Sequence, residues 1–109
     1  MEILFADHAE DWCSAKRLIR RHNVQRAQLI GRRLDDLRAA PTLEVMRNLP
    51  GRCHELKGDR LGQLSVDLDG PYRLIFRPAT EPRPTNPDGG LDWTRVTAVV
   101  VLEVADTHE

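Results

Sequence analysis

The sequence predicts an α+β fold: two N-terminal antiparallel helices packed on one face of a small, mainly antiparallel sheet of four to five strands. Two patterns support this prediction. Before Pro41, apolar residues recur every three to four positions, as on the buried face of a helix. From Arg52 onward they recur at every second position, as on the buried face of a strand. The length of 109 residues suits a single domain over 1–109.

The N-terminal segment predicts a short strand followed by a first helix. Met1 to Phe5 is apolar enough for a strand. Asp7 suits an N-cap, because its carboxylate accepts from the unpaired backbone N–H groups of the first turn. The helix from about His8 then carries one apolar face, formed by Trp12, Ala15 and Ile19. His22-Asn23 is its predicted end, since asparagine tolerates the left-handed conformation that closes a helix.

A second helix is predicted from Val24 to about Ala40. Its apolar stripe consists of Val24, Ala27, Ile30, Leu34 and Leu37, at helical spacing. Pro41 ends it, and Thr42 is predicted to cap a short turn that runs through Arg47. Because so short a link joins the two helices, we expect them to pair antiparallel.

The remaining strands follow from alternation. Leu64, Val66 and Leu68 alternate with Ser65, Asp67 and Asp69, and the next strand alternates in the same way through Tyr72, Leu74 and Phe76. Gly70-Pro71 is the turn between them. The segment from Thr80 to Asp92 holds three prolines and two glycines, and is predicted to be a loop. Val96 to Val104 is almost wholly apolar, as in a strand covered on both faces.

Composition narrows the class of protein. No apolar run approaches the roughly 20 residues that cross a bilayer, and the acidic start is unlike a signal peptide, so we expect a cytoplasmic protein that does not bind membranes. Cys13 and Cys53 are expected to be reduced, buried thiols, and no metal site or cofactor is expected. Trp12 to Arg60 holds twelve basic against five acidic residues, which favours a polyanionic partner or, equally, solvated helix faces.

Two groups of residues are suited to phosphodiester chemistry. Arg73 alternates with apolar residues, so it projects to the face that the helices leave free. A guanidinium there suits a phosphate, although an ion pair with Asp67 or Asp69 is an equal alternative. His54 is predicted to begin a strand. It is either a residue that transfers a proton or a half-buried strand histidine that is hydrogen-bonded to the backbone.

Three strings of residues then identify a family. They are His54-Glu55-Leu56-Lys57-Gly58-Asp59-Arg60-Leu61-Gly62-Gln63, Tyr72-Arg73-Leu74-Ile75-Phe76 and Leu102-Glu103-Val104-Ala105-Asp106-Thr107-His108. Together with Arg33 to Leu37 in the second helix, they resemble the RelE/ParE superfamily of toxins from bacterial type II toxin–antitoxin systems. The resemblance is strongest to the HigB, or plasmid-maintenance killer, branch, and it covers essentially the whole chain.

The resemblance implies a RelE-like fold and a ribosome-dependent, metal-independent mRNA endoribonuclease acting in the A site of the small subunit. It also implies a cognate antitoxin that is HigA-like and has a helix-turn-helix domain. The toxin is then expected to contact operator DNA only as part of the toxin–antitoxin complex. Carried over by position, the site residues are expected to have distinct roles. His54 and His108 form the proton-transfer pair, Lys57 and Arg73 neutralise the phosphate, Asp106 orients or assists, and Arg60 and Arg77 hold RNA.

One residue departs from the branch pattern. Thr107 stands where the branch usually has tyrosine, so a stacking surface or proton donor is missing. The Thr80–Asp92 loop is also longer than in compact members. Two alternatives therefore remain: a toxin with another target, such as gyrase in the manner of the ParE branch, or a catalytically degenerate protein that only binds its antitoxin. The histidines argue against the gyrase alternative, since the ParE branch generally lacks them.

Overall fold

The computed structural model describes residues 1–6, 12 and 14–106. The strands are β1 Glu2–Phe5, β2 His54–Glu55, β3 Leu64–Asp67, β4 Tyr72–Pro78 and β5 Ala98–Asp106, and the α-helices are α1 Ala15–Arg21 and α2 Val24–Ala39. The five strands form one sheet in the order β1–β5–β4–β3–β2. Strand β1 runs parallel to β5, while the pairs β2–β3, β3–β4 and β4–β5 are antiparallel. The predicted α+β class and the mainly antiparallel sheet are confirmed.

The core lies between α2 and one face of the sheet. From the helix come Ala27, Ile30, Leu34 and Leu37, and from the sheet Leu64, Val66, Leu74, Phe76, Val99 and Val101. The predicted stripe of α2 is therefore confirmed except at Val24, which is 53% exposed in the first turn. Val99 to Val101 are buried consecutively, as expected of a strand covered on both faces.

The predicted start of the first helix is wrong. Helix α1 begins at Ala15, and the Ser14 hydroxyl caps it by accepting from the Arg17 N–H at 3.3 Å. Asp7 and His8 lie outside the described residues. Since α1 starts late, its buried residue is Leu18, while the predicted Ile19 is 41% exposed and Ala15 is exposed.

The first helix ends at His22, as predicted, and Asn23 then caps the start of the second helix. Its backbone is extended, and its side-chain oxygen accepts from the Arg26 N–H at 2.7 Å. Asparagine is favoured both at the end of a helix, where it adopts the left-handed conformation, and at the start of one, where its side chain accepts from an unpaired backbone N–H. The sequence alone does not show which of the two roles an asparagine has. The predicted short turn after Pro41 is confirmed as a 3₁₀ turn, Leu43–Asn48, but the Thr42 side chain makes no capping hydrogen bond to it.

The β3–β4 connection is longer than predicted. Strand β3 ends at Asp67, because Leu68 and Asp69 bond within the turn through Leu68 N–H to the Tyr72 carbonyl and Tyr72 N–H to the Asp69 carbonyl. The segment from Thr80 to Asp92 is a loop, as predicted, with one isolated bridge between Thr85 and Leu91. Neither α1 nor α2, nor any other helical stretch in the described ranges, has the length and apolar character that crossing a bilayer requires.

Asp69 ties this turn to α2, and its pair is expected to make stability depend on pH. Arg26 donates to both carboxylate oxygens of Asp69 at 2.8 and 3.1 Å and lies 3.5 Å from the ring centroid of Tyr72. The hydrogen bonds from Arg26 hold the pKa of Asp69 below its usual value of 3.8. Because the folded pKa is depressed, the pair stabilises fully above pH 3.8 and less as pH falls through the folded pKa.

We expect Asp69→Asn to lower the free energy of unfolding at neutral pH by about 2 kcal/mol. Urea denaturation at neutral and acidic pH measures this, and the difference from wild type should vanish at the acidic end. Asp35→Asn is the matched control, since the Arg38–Asp35 pair is exposed and contributes little. A deficit for Asp69→Asn that persists in acid would contradict the assigned pair.

Cys53 is expected to be chemically unreactive in the folded protein. It is a free, partly buried thiol packed against the core, and burial raises its pKa to about 12 from 9.0. Because only the thiolate reacts, labelling by a disulfide reagent in a Cys13→Ser background should be about 10²–10³ times slower in the native than in the denatured chain. Equal rates in the two states would show that the thiol is exposed.

Candidate RNA-binding face

The face of the sheet away from the helices carries several of the residues predicted for the site. Register fixes which side chains share it: Asp67 lies opposite Arg73, and Ser65 lies between His54 and Ile75. These positions alternate with the core residues Val66, Leu74 and Phe76, and successive strand side chains point to opposite faces. We call this surface, defined by His54, Ser65, Asp67, Arg73, Ile75, Arg77 and Glu103, the polar face.

Arg73 lies on the polar face as predicted, and it is paired there. Its Nη1 lies 3.4 Å from Oδ1 of Asp67, and the Arg73 side chain is only 13% exposed. The other carboxylate oxygen, Oδ2, accepts from Nε of Arg52 at 2.7 Å. The ion-pair alternative for Arg73 is thus realised with Asp67, whereas Asp69 pairs with Arg26 on the helical side.

The imidazole of His54 has an assigned hydrogen-bond partner. Its Nδ1 lies 2.7 Å from the carbonyl oxygen of Arg52. A carbonyl only accepts, so Nδ1 carries the hydrogen, and Nε2 of the neutral ring retains its lone pair. His54 therefore presents a proton acceptor in a fixed ring orientation, as a general base requires. The alternative of a half-buried histidine bonded to backbone describes the same contact.

Arg60 covers part of the polar face. It belongs to the 3₁₀ turn Gly58–Arg60 between β2 and β3. Its guanidinium donates to Oε1 of Gln63 at 3.2 Å and lies 3.6 Å from Oε1 of Glu103 on β5. Because β4 separates β3 from β5, the turn must fold back over the sheet. This explains why Ile75 is fully buried although it lies outside the main core.

The remaining predicted residues lie around this centre. Arg77 shares the polar face, is exposed, and donates to the carbonyl of Pro78 at 3.4 Å. Lys57 is exposed just before the Gly58–Arg60 turn. Asp106 lies opposite Tyr72, so strand alternation places it on the helical side, away from Arg73. His108 and Thr107 lie outside the described residues.

Sequence reasoning missed the part that Arg52 and Glu103 play. Arg52 reaches Asp67 because Gly51 and Arg52 both have positive φ, 110° and 48°, and the Asp67 N–H bonds to the Gly51 carbonyl at 2.7 Å. A left-handed arginine leaves no sequence signal, since this region favours glycine. Glu103 reaches the polar face, in register with Ile75, only because the β4–β5 register shifts between Ile75 and Phe76. Plain alternation from the core residues Val99 and Val101 would have placed it on the helical side.

The charges of the polar face favour an anion. Within the described ranges, four arginines lie on this face or at its edge, and the carboxylates recorded in contact with them are Asp67 and Glu103; the arginines are Arg52, Arg60, Arg73 and Arg77. Arginine forks suit phosphate oxygens, and the His54 imidazole lies on the same face of the sheet. Among the described residues, no three metal-binding side chains lie close enough together to hold an ion. The arrangement can bind a phosphate and accept a proton near it.

Comparisons with known proteins assign the fold. No protein-family model matches the chain, and no curated protein is significantly similar to it. Two solved structures are similar over their full length. A YoeB/ParE toxin from Agrobacterium tumefaciens superposes with a TM-score of 0.61 at 13% identity, covering 99% of this chain and 100% of that one. YoeB from Staphylococcus aureus, solved as a dimer, gives 0.55 at 16% identity, covering 100% and 98%. The chain therefore has the fold of YoeB/ParE toxins.

Proposed function

We propose that this protein is the toxin of a type II toxin–antitoxin system and cleaves mRNA on the ribosome. The observation that carries the proposal is the polar face, which holds both the His54 imidazole, bonded through Nδ1 to the Arg52 carbonyl, and the Arg73–Asp67–Arg52 cluster. The shared fold with YoeB/ParE toxins supports a toxin. The sequence motifs favour the HigB branch, a HigA-like antitoxin and action in the ribosomal A site.

The proposed reaction uses the RNA as its own nucleophile. The 2′-oxygen attacks the adjacent phosphorus, and the bond from phosphorus to the 5′-oxygen breaks, which leaves a 2′,3′-cyclic phosphate and a 5′-hydroxyl. His54 Nε2 takes the proton of the 2′-hydroxyl, and His108 gives one to the departing 5′-oxygen. This general acid–base catalysis contributes about 10²–10⁴ in rate.

The other predicted residues stabilise charge and hold the RNA strand. Arg73 and Lys57 balance the negative charge of the phosphorane, because fixed cations in a partly dehydrated site stabilise charge that develops in the transition state. Arg60 and Arg77 hold the RNA backbone once Arg60 has left Glu103. Asp106 takes no part in these steps, because it lies opposite Tyr72 on the helical side. This chemistry needs no metal ion or cofactor.

Induction in a bacterial host tests the toxin proposal and separates its alternatives. We expect growth arrest in which methionine incorporation stops promptly while thymidine incorporation continues, and we expect relief by the gene adjacent to this one. Loss of thymidine incorporation first would instead favour a gyrase target. Unchanged growth and synthesis would leave only a protein that binds its antitoxin.

A further inference from the structure

Asp67 contacts its two arginines unequally. Its Oδ2 accepts a hydrogen bond from Nε of Arg52 at 2.7 Å. Its Oδ1 lies 3.4 Å from Nη1 of Arg73, and that oxygen has no hydrogen-bond partner among the described residues. Nε of Arg73 is likewise buried and without a hydrogen bond in the described chain. The Arg73–Asp67 contact is therefore a loose ion pair with an unused donor and an unused acceptor.

Such a loose pair is unusual because both groups are costly to leave unsatisfied. A buried polar group without a partner destabilises the folded state, and native proteins have few of them. A short shift of the Asp67 carboxylate toward Arg73 would satisfy both atoms with a two-pronged pair. Something must hold the carboxylate away.

The surroundings of Asp67 explain why this shift does not occur. The Asp67 N–H bonds to the Gly51 carbonyl at 2.7 Å, and the Asp67 carbonyl accepts from Nε of Arg33 at 2.9 Å. These bonds fix the backbone of the residue on both sides. The short hydrogen bond from Arg52 then fixes the carboxylate, since Arg52 is itself carried by the left-handed turn at Gly51.

We propose that Arg52 is a positioning residue that acts on Arg73 through Asp67. Arg52 holds the Asp67 carboxylate at a distance from which that carboxylate orients Arg73 but does not form a two-pronged pair with it. Arg73 therefore keeps a buried N–H donor for a phosphate oxygen. Without Arg52, Asp67 closes on Arg73 and competes with the phosphate. The inference rests on the proposed function only in taking the phosphate to be that of an RNA strand.

This arrangement, in which Arg52 acts on Arg73 through Asp67, is called the relay, and it predicts that substitutions of Arg52 and Asp67 have coupled effects. Arg52→Gln should weaken RNA binding about tenfold, since coupling between contacting charges commonly reaches this size. Asp67→Asn should tighten binding severalfold, because Arg73 loses its competing anion. In the Asp67→Asn background, Arg52→Gln should have less than about a twofold further effect. If Arg52 acts independently of Asp67, or contacts the phosphate directly, Arg52→Gln should lower RNA affinity by the same factor in the wild-type and the Asp67→Asn backgrounds.

The test is fluorescence anisotropy of a short labelled single-stranded RNA carrying 2′-O-methyl groups, which bind but cannot be cleaved. It uses the full-length chain, the two single variants, the double variant and Arg73→Gln, with thermal unfolding to show that each is folded. Arg38→Gln and Asp35→Asn form the matched control pair, because that exposed ion pair lies on α2.

Three results are distinguishable. Loss of the Arg52 effect in the Asp67→Asn background, with binding that depends on Arg73, supports the relay. An equal Arg52 effect in both backgrounds, or binding insensitive to Arg73→Gln, overturns it. If the relay pattern appears but the unmodified RNA is not cut in translating extracts, the relay holds and only the nuclease proposal fails.

Discussion

Replacing Arg73 with glutamine is expected to lower mRNA cleavage about 10²–10³-fold, the loss seen when one preorganised charge-stabilising donor is removed. The guanidinium is only 13% exposed and lies on the polar face, so water replaces it poorly. Cleavage of a reporter message in a translating extract, followed over time, measures the effect. Growth inhibition on induction should fall in parallel.

The fold should survive this substitution. Asp67 keeps its 2.7 Å hydrogen bond to Arg52, and the neighbouring Leu74 and Phe76 still fill the core. Circular dichroism and binding of the antitoxin provide the check. Arg38→Gln, which alters an exposed arginine on α2, should cleave like wild type. An Arg73→Gln protein that is folded and fully active would remove Arg73 from the mechanism.

Replacing His54 with glutamine is expected to slow cleavage about 10²–10⁴-fold while leaving RNA binding within twofold, because it removes only a proton acceptor. The glutamine amide can still donate to the Arg52 carbonyl, which His54 Nδ1 approaches at 2.7 Å. The backbone contact is thereby kept and the basic nitrogen is lost. Single-turnover cleavage together with anisotropy separates the two effects.

A matched histidine provides the control for His54. His22 lies at the end of α1, away from the polar face, so His22→Gln should not change the cleavage rate. If His54→Gln weakens binding as strongly as it slows cleavage, His54 holds RNA and does not transfer a proton. If neither changes, the base lies elsewhere.

The sequence predicted the larger elements because their patterns are long. The apolar stripe of α2 and the alternation of β3 and β4 each repeat several times. These repeats were enough to predict both the core on the helical side of the sheet and the opposite face that carries Arg73. Alternation also offered Asp67 as an ion-pair partner of Arg73. The predicted start of α1 was wrong because Ser14 and Asp7 are equally good N-cap residues. The apolar residues of this segment, about one per turn, do not show which of the two begins the helix.

The details of the polar face depend on contacts that leave no periodic signal. Arg52 reaches Asp67 through a left-handed turn, and Arg60 reaches Glu103 because its turn folds over the sheet. Both are set by tertiary structure rather than by local propensity. The position of Asp106 opposite Tyr72 follows from a register shift between Ile75 and Phe76 in the β4–β5 pair, and simple alternation from the sequence does not reveal that shift.

Mapping of mRNA 5′ ends after induction tests the central proposal most directly. The wild-type protein should create new 5′-hydroxyl ends inside translated reading frames, and none in the same transcript when its start codon is destroyed. His54→Gln and Arg73→Gln should remove these ends. Growth arrest without new ends in translated messages, or equal cutting of the untranslated transcript, would contradict ribosome-dependent cleavage.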